Sequence, residues 1–104
     1  MTPTKFIQCR SDTWSAGDKS GYKLSFTFEN QEGVKIYDGF YFQKGMNKTL
    51  FETTIKRSRH MVNVVKENGW KDAGDFGKDV LNFLHKLSDQ CNLSKGKTFY
   101  LKTL

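Results

Sequence analysis

The 104-residue chain has little cysteine or proline and no long apolar run. Its two cysteines, Cys9 and Cys91, lie far apart and belong to no CxxC pair. A structural disulfide between them stays open, but their apolar neighbours favour two reduced, buried thiols. No apolar run approaches the roughly eighteen residues of a membrane span, and the N-terminal segment MTPTKFIQCR lacks the apolar core of a signal peptide. We therefore expect a cytoplasmic protein without a membrane partner.

Sequence motifs for catalysis, metal binding and phosphate binding are also lacking. His60 and His85 are isolated at helical positions without HxxxH or HExxH spacing, so we expect no metal site. The patterns GxGxxG and GxxxxGK[ST] do not occur, so we expect no phosphate loop and no cofactor. Asp72, Asp75 and Asp79 are explained more simply by helix capping than by a metal-dependent nuclease site, which stays open as a third interpretation. We expect that the protein is not an enzyme.

The length and composition predict one globular domain, residues 1–104, because the chain is too short for two independent cores. Fifteen aromatic residues, nine of them phenylalanine, indicate that most rings belong to the core. The net charge is +6, and the excess lies in residues 34–71, which carry eight basic and three acidic side chains. Such a basic segment is compatible with a nucleic acid or another anionic partner.

Hydrophobic periodicity predicts the order β-β-β-α-α-β. Strands are expected over residues 4–9, 22–28, 33–42 and 98–104, and helices over residues 49–68 and 79–91. The polar, glycine-containing segment RSDTWSAGDKSG, residues 10–21, is expected to be a loop. The turn ENQEG joins the second and third strands in a hairpin. Two helices would then cover one face of a small, mostly antiparallel sheet, which is an α+β fold.

The second and third strands carry aromatic and basic residues on the face opposite to their apolar residues. Period-two alternation places Lys35, Tyr37 and Tyr41 on this outward face, and Lys23 shares it on the neighbouring strand. Gly39 interrupts the third strand and suggests a bulge or a bend. Bases stack on rings while cations follow phosphates, so the set resembles a nucleic-acid platform. Two alternatives stay open: the tyrosines stabilise the hairpin, or the helices cover them as part of the core.

A second basic cluster lies in the middle of the first predicted helix. Lys56, Arg57, Arg59 and His60 fall on or near the face away from the apolar stripe. This cluster is either a solvated helix face or a surface that holds phosphates. The stripe that we expect to be buried against the sheet consists of Phe51, Ile55, Val62 and Val65.

The segment KSGYKLSFTFENQEGVKIYDGFYF, followed by a helix and by SKGKTFYLKTL, resembles small phage-encoded single-stranded-DNA-binding proteins. In that family a KSG-type turn precedes an LxFxF strand, a turn and a GxKIxDxFx strand follow, and a helix leads to a glycine-lysine strand. The resemblance implies an OB barrel, here an OB-like partial barrel because a second helix is inserted and only one strand follows it. It also places Trp14 and Lys19 in the first loop, a usual place for OB contacts.

These features predict a non-enzymatic, single-stranded nucleic-acid-binding module with little sequence specificity. Rings would stack on bases and cations would hold phosphates. The alternative is a phage-type accessory or inhibitor protein that binds a host protein through exposed aromatic residues. The choice between DNA and RNA and the formation of a homo-oligomer stay open. The predicted contact residues are Trp14, Lys19, Lys23, Lys35, Tyr37, Tyr41, Lys56, Arg57 and Arg59.

Overall fold

The structure, a computed structural model, describes residues 2–43, 48–58, 60–68 and 80–101. Four antiparallel strands form one sheet in the order β3-β2-β1-β4. The sheet curls into an OB-like partial barrel with helices packed on it, which confirms the predicted α+β fold. The elements are β1 Thr2–Ala16, β2 Lys19–Asn30, β3 Lys35–Gln43, α1 Lys48–Lys56, α2 Met61–Glu67, α3 Val80–Cys91, a 3-10 helix Asn92–Ser94, and β4 Thr98–Leu101.

The hydrophobic core lies between the inner face of the sheet and the helices. Leu24, Phe26 and Phe28 alternate along β2 and are fully buried, as the period-two pattern predicts. Each buried side chain of this size contributes about 1.5–3 kcal/mol relative to an exposed one, so the helices stay on this face. The helical residues that complete the core are Ile55, Met61, Val64, Val65, Leu84, Leu87 and Cys91.

The hairpin of β1 and β2 is longer than the sequence predicts. Residues 10–21, the predicted loop, are strand on both sides of a two-residue turn at Gly17 and Asp18, and Ala16 pairs with Lys19. Gly17 has φ +64, as a type II′ hairpin turn requires at its first central position. The loop prediction is wrong because this end of the hairpin carries polar residues on both faces, so that no apolar alternation marks the strands.

The single helix predicted over residues 49–68 is wrong, because the structure has two helices there and three in its described part. A carboxylate from the sheet separates them. Asp38 Oδ2 accepts hydrogen bonds from the backbone N–H groups of His60 at 2.8 Å and Met61 at 2.7 Å. Ser58 Oγ accepts a bond from the next amide of α2 at 3.1 Å. These bonds satisfy amide groups that have no partner within the new helix.

The other predictions concern the last helix, the last strand and the two cysteines. The helix predicted at 79–91 and the last strand are confirmed over the residues that the structure describes. Cys9 and Cys91 are free and buried, as predicted. Burial raises the pKa of Cys9 to about 12 and also raises the pKa of Cys91. Asp72, Asp75 and Asp79 lie outside the described residues.

The described helices are short, and none is long and apolar enough to cross a membrane. The prediction that no membrane partner exists rests on the sequence pattern.

Candidate nucleic-acid interface

The outer face of β2 and β3 is open. The strand register pairs Lys23 with Tyr41 and Ser25 with Gly39, so these positions lie side by side across the two strands. Tyr37 is 73% exposed and Tyr41 is 60% exposed. The helices pack against the opposite face, where the core residues lie. The alternative in which the helices cover the two tyrosines is therefore wrong.

Gly39 forms the floor of a hollow between the two tyrosines. Its φ is +147, and a Cβ there would lie 2.2 Å from the carbonyl oxygen of Leu24. The register continues through Gly39 without a shift, so the glycine permits a close backbone contact and not the predicted bulge. The hollow has a volume of about 390 Å³, which is within the range of sites for small molecules. Its lining includes Lys23, Ser25, Tyr37, Asp38 and Tyr41.

Trp14 holds the ring of Tyr41 from the side. It lies on β1 opposite Gly21, and not in the loop that the sequence predicts. Its indole N–H reaches across β2 and is shared between the carbonyl oxygens of Tyr22 and Phe42, each at 3.1 Å. The indole meets Tyr41 edge-on, with ring centroids 5.7 Å apart and an interplanar angle of 86°. Trp14 therefore ties β1 to β3 and limits the orientations of the Tyr41 ring.

The predicted cations of the outer face differ in their partners. Lys23 Nζ lies over the Tyr41 ring, 5.4 Å from its centroid. Lys35 forms an ion pair with Glu29, its cross-strand neighbour, and this hydrogen bond holds the pKa of Glu29 below its usual value. Lys19 is exposed beside the β1–β2 turn. Among these three side chains, only Lys23 lines the hollow.

The helical cations are not part of this cluster. Lys56 and Arg57 are exposed at the end of α1, whose Ile55 is buried in the core on the inner side of the sheet. Neither of them lines the hollow between the tyrosines. Arg59 lies outside the described residues, so its role stays a prediction.

Groups that could support other chemistry are sparse. In the described segments, no cluster of three His, Cys, Asp or Glu residues could hold a metal ion. His60 is buried beside Phe28 at the start of α2, and its Nδ1 has no hydrogen-bond partner among the described residues. His85 Nδ1 is 2.6 Å from Ser11 Oγ at an exposed position on α3, and among the described residues no third group completes a catalytic set.

Sequence reasoning missed two residues that shape the outer face. Ser25 lies on the floor of the hollow, and its outward parity between Lys23 and Thr27 was sufficient to find it. Gly21 permits the close approach of β3, because a Cβ there would lie 1.7 Å from the carbonyl oxygen of Phe42. No sequence pattern predicts the need for glycine at position 21, because that need depends on how β2 pairs with β3.

Comparison with known proteins adds nothing to this geometry. No protein-family model matches the chain, and no curated protein or solved structure matches it. The resemblance to phage single-stranded-DNA-binding proteins therefore stays a prediction, and a functional inference depends on the outer face of the sheet.

Proposed function

We propose that the protein is a non-enzymatic module that binds single-stranded nucleic acid on the outer face of β2 and β3, with little sequence specificity. One observation carries the proposal: the exposed rings of Tyr37 and Tyr41 lie on either side of a hollow with a glycine floor, and Lys23 lies beside one ring. Bases stack on such rings with about 1–3 kcal/mol each, while cations attract phosphates. The face of strands two and three is also the surface on which OB folds bind oligonucleotides.

The spacing of the two rings favours a single strand over a duplex. Tyr37 and Tyr41 are four residues apart on one strand, which corresponds to about 13 Å. Successive bases of a duplex are separated by only about 3.4 Å along the helix axis. Bases that stack on both rings must leave the stack of their neighbours, which costs less for an unpaired strand than for a duplex. The hollow over Gly39 would receive the part of the strand between them.

Cations near both ends of the aromatic pair can hold the phosphates of such a strand. Lys35 lies two positions before Tyr37, and Lys19 lies near the β1–β2 turn. The Lys35–Glu29 pair is exposed, and exposed pairs contribute only about 0–1 kcal/mol, so a phosphate can replace the carboxylate at low cost. Lys56 and Arg57 do not line the hollow, so they would act only on a strand that extends beyond it, and Arg59 is proposed with them from the sequence.

A second candidate is a phage-type accessory or inhibitor protein that binds a host protein. The same two exposed rings support it, because tyrosine is enriched among the anchors of protein interfaces. With either function, we place the protein in the cytoplasm, since the free, buried thiols of Cys9 and Cys91 fit a reducing compartment.

The decisive experiment compares the double variant Tyr37→Ala/Tyr41→Ala with the wild type. Binding to a labelled single-stranded oligonucleotide, measured by fluorescence anisotropy, should weaken by about 1–3 kcal/mol per stacked base. The free energy of unfolding should be nearly unchanged, because both rings are exposed. Tyr100→Ala is the matched control: Tyr100 is an exposed ring on β4, at the other end of the sheet order, and its loss should leave binding unchanged.

The salt dependence of binding separates the two candidates. Phosphate binding weakens steeply with salt, and Arg57→Ala with Arg59→Ala should lower the salt slope by up to about two if these residues take part. A protein interface centred on aromatic residues should respond much less to salt. If no oligonucleotide binds while a host protein is captured after nuclease treatment, and Tyr37→Ala/Tyr41→Ala abolishes that capture, the second candidate replaces the first.

A further inference from the structure

Lys23 is placed to contact the edge of a base that stacks on Tyr41. The two residues are direct cross-strand partners, and the lysine ammonium lies 5.4 Å from the centroid of the tyrosine ring. Both side chains line the hollow whose floor is Gly39. A base that stacks on this face of the ring would take the place of the ammonium, and the cross-strand pairing would keep Lys23 within reach of the edge of the base.

Asp12 lies opposite Lys23 on β1, but no ion pair joins the two side chains. In the described part of the chain Lys23 makes no ion pair, and its recorded contact is the face of the Tyr41 ring. The ion pairs among the described residues are Arg10–Asp12, Lys35–Glu29 and Lys97–Glu67, and none of them includes Lys23.

Trp14 limits the orientation of the Tyr41 ring. Trp14 meets the Tyr41 ring edge-on and is itself bound to the backbone of β2 and β3 through its N–H group. A base stacked on Tyr41 would thus keep a limited range of orientations relative to Lys23. Discrimination between similar bases requires such a fixed relation, because a mobile ammonium would follow the phosphates alone.

The chemistry of an ammonium distinguishes two kinds of base. Lysine has three donors and no acceptor, whereas the hydroxyl of Ser25 in the same hollow can donate or accept. Thymine, uracil and guanine present a keto oxygen where cytosine and adenine present an amino group. We propose that Lys23 is a specificity-determining residue that makes the site prefer keto bases over amino bases at the position stacked on Tyr41. This inference rests on the proposed function and refines its low sequence specificity at one position.

The test compares two homo-oligonucleotides whose bases have the same shape. Thymine and 5-methylcytosine carry the same methyl group on rings of the same shape. They differ in the keto or amino group at one carbon and at the adjacent ring nitrogen, which carries a proton in thymine and accepts a hydrogen bond in 5-methylcytosine. We expect wild type to bind the thymidine oligonucleotide roughly tenfold more tightly, as measured by anisotropy at one fixed salt concentration and slightly alkaline pH, because a hydrogen bond to a charged donor is gained. Lys23→Met should bring this ratio close to one, and Lys23→Arg, which also only donates, should retain it.

Lys35→Met is the matched control, because it removes another lysine from the same face. It should lower the salt slope by about one and leave the ratio unchanged. Lys23→Gln provides a second variant in case Lys23→Met is unstable, and its amide, which donates and accepts, should also lose the preference. Equal binding of both oligonucleotides by wild type, or a preference that survives in Lys23→Gln, overturns the inference while the proposed function stands. If neither oligonucleotide binds, both proposals fall.

Discussion

Asp38 connects the candidate binding strand to the helical layer, and its replacement should destabilise the protein. Its Oδ2 accepts the backbone N–H groups of His60 and Met61, at 2.8 and 2.7 Å, and its Oδ1 accepts the N–H of Gly39 at 2.8 Å. His60 and Met61 are both buried, so water cannot easily replace the lost acceptor. The change Asp38→Ala therefore removes three hydrogen bonds and leaves two buried residues with unpaired amides.

The size of the effect follows from these contacts. Removal of a helix cap costs about 0.5–2 kcal/mol, and an unsatisfied buried donor costs about 1–3 kcal/mol. Because the two contributions overlap at the start of α2, we expect Asp38→Ala to lower the free energy of unfolding by about 2–4 kcal/mol. Asp38→Asn keeps one oxygen as an acceptor and should lose less.

Urea titration followed by circular dichroism measures this loss. The matched control is Asp12→Ala, since Asp12 is an exposed acid on β1 whose contact with Arg10 is 3.8 Å long. Exposed pairs of this kind contribute at most about 1 kcal/mol, so the control should remain close to wild type. If Asp38→Ala unfolds at the same urea concentration as Asp12→Ala, the carboxylate does not cap α2 and the break between α1 and α2 has another cause.

Three further predictions concern buried side chains. Ile55→Ala should lower the free energy of unfolding by about 2–5 kcal/mol because Ile55 is fully buried. The control Leu93→Ala, at a site that is 80% exposed, should change it by less than about 0.5 kcal/mol. Equal effects of the two changes in a urea titration would contradict the burial of Ile55 in the core. Cys9 and Cys91 should react with a thiol reagent only after denaturation, and full reaction of the native protein would contradict their burial. Because burial raises the pKa of Cys9 from 9.0 to about 12, the folded thiol keeps a proton that the unfolded thiol loses. Its contribution to stability is therefore intact below pH 9 and falls as the pH rises toward 12, and Cys9→Ala should remove that alkaline loss.

Period-two alternation was sufficient to predict both faces of β2 and β3. Phe26 and Phe28 point inward, and Tyr37 and Tyr41 point outward. In a sheet with one buried face, apolar residues alternate with polar or exposed ones along each strand, so the sequence shows which side chains face the core. The open question of whether helices cover the tyrosines needed the structure, since alternation distinguishes two faces and does not say which layer covers each one.

Features that depend on distant parts of the chain could not be predicted. The break between α1 and α2 contains neither proline nor glycine among its described residues, and it depends on Asp38, which precedes His60 by 22 residues. The contact of Trp14 with Tyr41 depends on the full length of the first hairpin, which brings β1 beside Gly21. The helix or strand propensity of a short segment does not predict such contacts, because the residue that forms the contact lies far away in the sequence.

The β3 segment from Tyr37 to Tyr41 contributes side chains to both faces of the sheet, and alternate residues have different roles. Tyr37 and Tyr41 project outward, so their replacement acts on a bound ligand, while Asp38 between them projects inward and acts on the start of α2. Gly39 belongs to both, because any side chain there would strike the backbone of β2 at Leu24 and disturb the floor of the hollow together with the strand pairing. Loss of binding in a Gly39 variant would thus not identify a contact with nucleic acid, whereas loss in a tyrosine variant of unchanged stability would. The outward positions are for this reason the ones on which the proposed function must be tested.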